Sequence, residues 1–145
     1  MRSRAAILLI PLVLGACQAK TAAPDNRAMV KDFARLFYTE RDVKRAFETY
    51  VTPDYIQHNP GIADGRDAAI AALAPMFADR TKSFTIKRIL VDGDIAVIHI
   101  FVKPTPDSRG AAVFDMFRLK DGKIVEHWDA IQPVPEKSAN THPMF

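Results

Sequence analysis

The chain has 145 residues, 48% of them hydrophobic and 26% charged, with one Cys and a formal net charge of +3. That length suits one domain with a closed core, and the ordinary globular fractions exclude disorder, collagen-like repeats and low complexity. One Cys excludes an internal disulfide framework or a multi-Cys metal site, and beyond residue 16 the balance is 18 basic against 17 acidic side chains, which is no nucleic-acid footprint.

Residues 1–16 read as a signal peptide: Arg2 and Arg4 make a positive start, Ala5 to Val13 an apolar run too short to span a membrane, and small residues follow. The Leu14-Gly15-Ala16-Cys17 ending resembles the bacterial lipobox, whose Cys is lipidated and becomes the first mature residue. Cys17 is therefore the expected lipidation site. Gln18 rather than Asp follows it, which points to the periplasmic side of the outer membrane; the alternative is a secreted or soluble periplasmic protein with a stray Cys. Residues 17–24 form a short polar tether.

The domain is expected over 25–145. Asp25 or Asn26 caps a helix to about Thr39, with Met29, Val30, Phe33, Leu36 and Phe37 on one stripe. Asp42 caps a second helix carrying Val43, Ala46, Phe47, Tyr50 and Val51, and Pro53 stops it. Tyr55-Ile56-Gln57 is a brief extended piece and His58-Asn59-Pro60-Gly61 a turn. A third helix runs from about Arg66 to Asp79, with Pro75 expected to kink it or split off its last turn.

The period then changes to two. Strands are predicted over 83–91, 95–103, 111–120 and 123–132, with hairpins at Asp92-Gly93-Asp94 and Asp121-Gly122. Strand 95–103 is apolar on both faces and should be central and covered on both sides. Three helices before a four-stranded antiparallel meander is an α+β pattern.

Inward polar residues on these strands carry the chemistry. Asp115 shares a face with Val113, Phe117 and Leu119, and burying a carboxylate raises its pKa toward proton transfer at neutral pH. A purely structural Asp115 would instead be tied to an Arg or to backbone amides. His99, between Val97 and Phe101, is either a satisfied core residue or a partner for Asp115 across adjacent strands. In Glu126-His127-Trp128-Asp129, alternation puts His127 and Asp129 on one face and Trp128 on the other. A two-residue loop at Asp121-Gly122 sets Asp115 opposite Trp128, and a three-residue loop with a glycine bulge sets it opposite His127. The bulged form is preferred, because it joins the Val113, Asp115, Phe117 face to Val125, His127 and Asp129. Tyr55, His58 and Asn59 are candidates for a pocket rim, and Trp128 for substrate contact or plain core. His99, Asp115 and His127 also have the residue types of a two-His, one-carboxylate metal site, but the reading adopted is free of metal and cofactor.

Three stretches, Tyr55-Ile56-Gln57-His58-Asn59-Pro60, Phe114-Asp115-Met116-Phe117-Arg118 and Gly122-Lys123-Ile124-Val125-Glu126-His127-Trp128-Asp129, resemble the SnoaL-like polyketide cyclases of the nuclear transport factor 2-like superfamily. The resemblance spans residues 25–145. It implies a cone-shaped barrel, three N-terminal helices on a curved, mainly antiparallel sheet, around a deep apolar pocket. It also implies aldol cyclisation or isomerisation without metal or cofactor, with Asp115 as the acid–base carboxylate and His99 as its partner.

The expected function is thus a cofactor-independent acid–base enzyme acting on a small apolar carbonyl compound, with His127 and Asp129 positioning substrate or water. The rival is a non-catalytic lipoprotein of the cell envelope that captures a small hydrophobic ligand. A further option is hydration or epoxide opening with Asp129 as the second acid. The helices can cover only one sheet face, so a homodimer through the other face is expected. Met144-Phe145 should dock on the body, at a pocket mouth.

Overall fold

Residues 25–145 are described by a computed structural model. The leader, the lipidation site at Cys17 and the tether all lie outside the described residues.

Helix α1 (Asn26–Ala34) begins at Asp25, whose carboxylate accepts the Ala28 N–H at 3.0 Å. The helix then widens into a π-helical turn, Arg35–Glu40, and stops at Arg41, which is left-handed at φ 61°. Together they fill the span expected for the first helix. The wider winding was not expected, and it lets three successive side chains, Leu36, Phe37 and Tyr38, all be buried. Helix α2 (Val43–Tyr50) is capped by Asp42, which accepts the Arg45 N–H at 3.1 Å.

The chain leaves α2 one residue earlier than its apolar stripe suggested. Val51 is already extended and opens strand β1 (Val51–Gln57), so the extended piece has seven residues instead of three. Pro53 lies inside this strand rather than ending a helix. The place tolerates it because β1 is an edge strand and its ladder shifts between Val51 and Ile56. Gly65, at φ 97°, turns the chain into α3 (Arg66–Ala78), which contains Pro75 without splitting off its last turn.

Strands β2 (Ser83–Asp92), β3 (Ile95–Lys103), β4 (Ala111–Lys120) and β5 (Lys123–Pro133) form the expected meander. Strand β1 then adds to β5 in parallel, giving a five-stranded mixed sheet of order β1-β5-β4-β3-β2. The helices lie on its inner face, where Ala96, Ile98, Ile100, Val113, Phe117, Leu119 and Ile124 are buried. Phe33 ties the layers together: its ring lies 5.4 Å from Phe37, 5.8 Å from Phe47 and 5.5 Å from Phe117. Each such fully buried side chain contributes about 1.5–3 kcal/mol.

The β4–β5 register differs from both alternatives drawn from the sequence. Asp121 (φ 50°) and Gly122 (φ 73°) form a two-residue turn with both φ positive, and the pairing shifts by one between Arg118 and Leu119. The extra residue is Val125, inside the strand rather than at the turn. Asp115 consequently faces Asp129, while His127 faces Phe117. The preferred grouping of Asp115, His127 and Asp129 on one face stands, but the pairing is two residues away from the one expected.

The outer face is only partly covered. Phe145 lies on Phe101, with ring centroids 4.1 Å apart, and Lys87 caps the pair, so the tail docks there and not at the pocket mouth. Leu90 (61% exposed) and Phe114 (44%) remain open beside it.

Candidate functional site

Between the inner sheet face and the helices lies a cavity of about 470 Å³. Phe37, Tyr38, Phe47, Tyr55, Phe77 and Phe84 give it aromatic walls, and Met76 and Ile131 stand exposed among its lining residues. Its polar lining is Tyr38, Tyr55, Gln57, Asn59, Asp115, His127 and Asp129. Four elements supply these groups: the π turn, β1 with its following loop, β4 and β5.

Asp115 is buried and has a partner on each oxygen. Tyr38 donates its hydroxyl proton to Oδ2 at 2.8 Å, and His127 Nε2 lies 3.1 Å from Oδ1. His127 is held from behind by Gln57 Oε1, 2.8 Å from Nδ1. The backbone N–H of Asn59 donates to that same oxygen at 2.9 Å, which identifies it as the acceptor end of the amide. Nδ1 must therefore carry a proton. Nε2 then either donates to an ionised Asp115 or accepts from its protonated form; in both cases one proton lies between the two residues. A purely structural Asp115 would have shown an Arg or backbone amides, and neither is its partner.

Asp129 stands across the ladder from Asp115. Asn59 Nδ2 donates to its Oδ2 at 2.5 Å, and Asn59 is itself oriented because its Oδ1 accepts the Gly61 N–H at 2.8 Å. Tyr55 accepts a hydrogen bond from Gln57 Nε2 at 3.3 Å, and its own proton has no acceptor among the described residues. Burial pushes both phenols above their ordinary pKa, followed in each case by the nearby Asp115 carboxylate, so Tyr38 and Tyr55 remain proton donors.

Of the eight candidates from the sequence, Asp115, His127, Asp129, Tyr55 and Asn59 meet in this cavity. Three do not. His99 pairs with Phe114, one residue away from Asp115, so alternation sends it to the outer face. There its ring stacks on Phe114 at 4.2 Å, and Nδ1 lies 3.2 Å from the Arg88 guanidinium. The expected His99–Asp115 pair is thus corrected: His127 holds the carboxylate. Burial, then Arg88 and Lys87, holds the His99 pKa below its usual value. Trp128 and His58 also belong to the outer face, stacked on each other at 4.8 Å, with His58 Nε2 2.9 Å from Glu126.

Sequence reasoning missed Tyr38 and Gln57. Gln57 was within reach, since it lies two residues after Tyr55 on an extended piece and so shares its face. Tyr38 was not, because a regular helix stripe containing Phe33 and Phe37 gives no reason to aim the next residue inward.

The sequence trio His99, Asp115 and His127 cannot hold a metal, since His99 is on the wrong face. A different trio, Asp115, His127 and Asp129, has donor atoms within 4.8 Å of one another. Both ring nitrogens of His127 and both oxygens of Asp115 already have partners, so an ion would have to break the pair first.

Comparison with known proteins places this architecture. The chain matches the SnoaL-like domain family over residues 30–127. It belongs to that family. Among solved structures, TsrD from Streptomyces laurentii is similar at 26% identity, over 72% of this chain and 89% of that one, with a TM-score of 0.58. A putative SnoaL-like polyketide cyclase from Jannaschia sp. CCS1 is 19% identical over 78% of this chain and 91% of its own, at a TM-score of 0.60. An NTF2-like protein from Mesorhizobium loti reaches a TM-score of 0.64 at 19% identity, over 74% and 90% of the two chains. The fold of this SnoaL-like domain is therefore nuclear transport factor 2-like. Comparison with curated proteins finds no match.

Proposed function

We propose that this SnoaL-like domain is a cofactor-independent acid–base enzyme of the aldol cyclase or isomerase type, acting on a small apolar carbonyl compound. The observation that carries this reading is the Asp115–His127 pair, which shares one proton at the wall of an otherwise apolar cavity. A substrate carbonyl oxygen accepts a hydrogen bond from the Tyr55 hydroxyl, which keeps its proton. A pocket carboxylate, Asp115 or Asp129, takes the proton from the adjacent carbon as the enolate forms, its oxygen hydrogen-bonded to Tyr55. In a cyclisation that carbon then bonds to a second carbonyl, whose oxygen receives the proton back; in an isomerisation the proton returns to a different carbon.

The test is solvent exchange. Cyclohexanone or acetylacetone is incubated with the protein in deuterium oxide, and loss of the α-proton signal is followed by NMR. The protein should accelerate exchange, and Asp115→Asn should abolish most of the acceleration. Saturable binding of these ketones without accelerated exchange would favour the rival reading, a ligand-binding lipoprotein. That rival has its own support in the aromatic walls and the fully engaged Asp115 oxygens.

The setting belongs to the same proposal. Cys17 is lipidated and tethers the domain to the periplasmic side of the outer membrane; an alkynyl fatty acid should label the wild type and not Cys17→Ala. A second copy of the chain covers the outer sheet face, making a homodimer.

A further inference from the structure

The charges around the cavity do not balance. The Asp115–His127 pair, with its single shared proton, is neutral as a unit. Asp129 is left over: its bonded partner is the Asn59 amide, which is also neutral. No Lys or Arg lines the cavity among the described residues. Arg41 comes near, lying 5.4 Å over the Phe84 ring, but it donates to the main-chain oxygens of Asp79 and Lys82.

Resting on the pocket proposed above, we infer that the substrate is a carbonyl compound that brings the missing positive charge itself, as a protonated or quaternary amine. Its nitrogen sits beside the Asp129 carboxylate, among aromatic lining residues that include Phe47 and Tyr55, the ring type that attracts an organic cation that has shed its water. To an anion the cavity offers the Tyr55 hydroxyl but no Lys or Arg among the described residues. A carboxylate or phosphate group entering this cavity would meet Asp129 with no Lys or Arg to receive it, and both ring nitrogens of His127 are already engaged.

The test uses three probes of similar shape, titrated into the full-length protein in detergent and read by NMR line positions or calorimetry. These are phenyltrimethylammonium, its uncharged carbon counterpart tert-butylbenzene, and benzoate. The cation should bind about tenfold tighter than tert-butylbenzene, as expected for a desolvated cation facing aromatic rings and a carboxylate. Benzoate should not bind. In Asp129→Asn the preference should disappear while tert-butylbenzene binds as before, which shows that the cavity has kept its shape; Asp129→Glu should keep the preference. Equal or tighter binding of tert-butylbenzene by the wild type, a preference that survives in Asp129→Asn, or no binding of any probe would each overturn the inference. The acid–base reading is judged separately, because the exchange assay uses neutral ketones: it can fail while the cation preference holds, and the reverse.

Discussion

At the residue scale, the site is a relay of oriented groups: Tyr38 to Asp115, Asp115 to His127, His127 to Gln57, and Gln57 held by the main chain of Asn59. Removing a positioned acid or base typically costs about 10²–10⁴-fold, and Asp115→Asn should lose that much α-proton exchange, measured by NMR against a melting curve that confirms folding. Tyr38→Phe keeps the ring and removes one buried hydrogen bond to a carboxylate. It should cost about 1.5–3 kcal/mol in denaturant unfolding, because Asp115 Oδ2 is left without its partner. His99 has a different consequence. Its pKa is lowered in the fold, so the folded state binds fewer protons there than the unfolded chain once the pH drops below the ordinary histidine value. The stability it permits is complete above about pH 6.5 and declines as the pH falls from there toward the lowered value. Melting temperatures recorded from pH 7.5 to 5 should therefore fall more steeply for the wild type than for His99→Phe; parallel curves would contradict this.

At the element scale, much of the architecture was legible because it is written in periods. The change from helical spacing to alternation after Thr81 located all four meander strands, and Asp115, His127 and Asp129 were grouped on one face by alternation alone. What could not be read depends on one residue more or less. Val125 is an ordinary β-branched residue, and nothing local marks it as the extra residue of a bulge. Yet its presence decides that Asp115 meets Asp129 and not Trp128. Strand β1 was hidden for a related reason: it is paired in parallel with a strand some seventy residues away, and Pro53 reads locally as a stop. His99 was misplaced because β3 is apolar on both faces, so the pattern does not say which side is inner. Deleting Val125 should restore an unbulged ladder that keeps both faces, because Ile124 before it and His127 after it then stand inward in regular alternation with Glu126 outward. We expect this variant to keep the melting point and exchange activity of the wild type, as Val125→Ala should; loss of activity in the deletion alone would show that the local twist of the bulge aims His127.

At the scale of the whole molecule, the sheet has two unlike faces. The inner face is closed by helices and cavity; the outer carries Leu90, Phe114 and Ile56 in the open, with the tail covering only the Phe101 end. Arg118 on this side is paired with Glu126 and Asp94, while Lys87 lies against Phe101 and Phe145 and Arg88 against His99, with no carboxylate partner among the described residues. A second copy approaching it would meet apolar surface and a neutralised cluster, together with two cations, Lys87 and Arg88, whose repulsion against their own copies the apolar contact must outweigh. His99 Nε2 is buried there without a hydrogen-bond partner, a vacancy that a docking surface can fill. Sedimentation at micromolar concentration should show a dimer for the wild type and a monomer for Phe114→Glu. A monomeric wild type would remove the dimer while leaving the cavity and its chemistry untouched.

The loosened winding between Arg35 and Glu40 sets how the site can be altered. Tyr38 reaches Asp115 because that coil is wider than a regular one, and one residue in an ordinary helix is worth about 100° of rotation. Trimming a single position from this stretch would tighten the coil and swing the phenol off its carboxylate, although every side chain lining the cavity remained encoded. Length, and not only spelling, carries the chemistry of such a segment, so engineers who shorten it for rigidity will be retuning the acid without touching it.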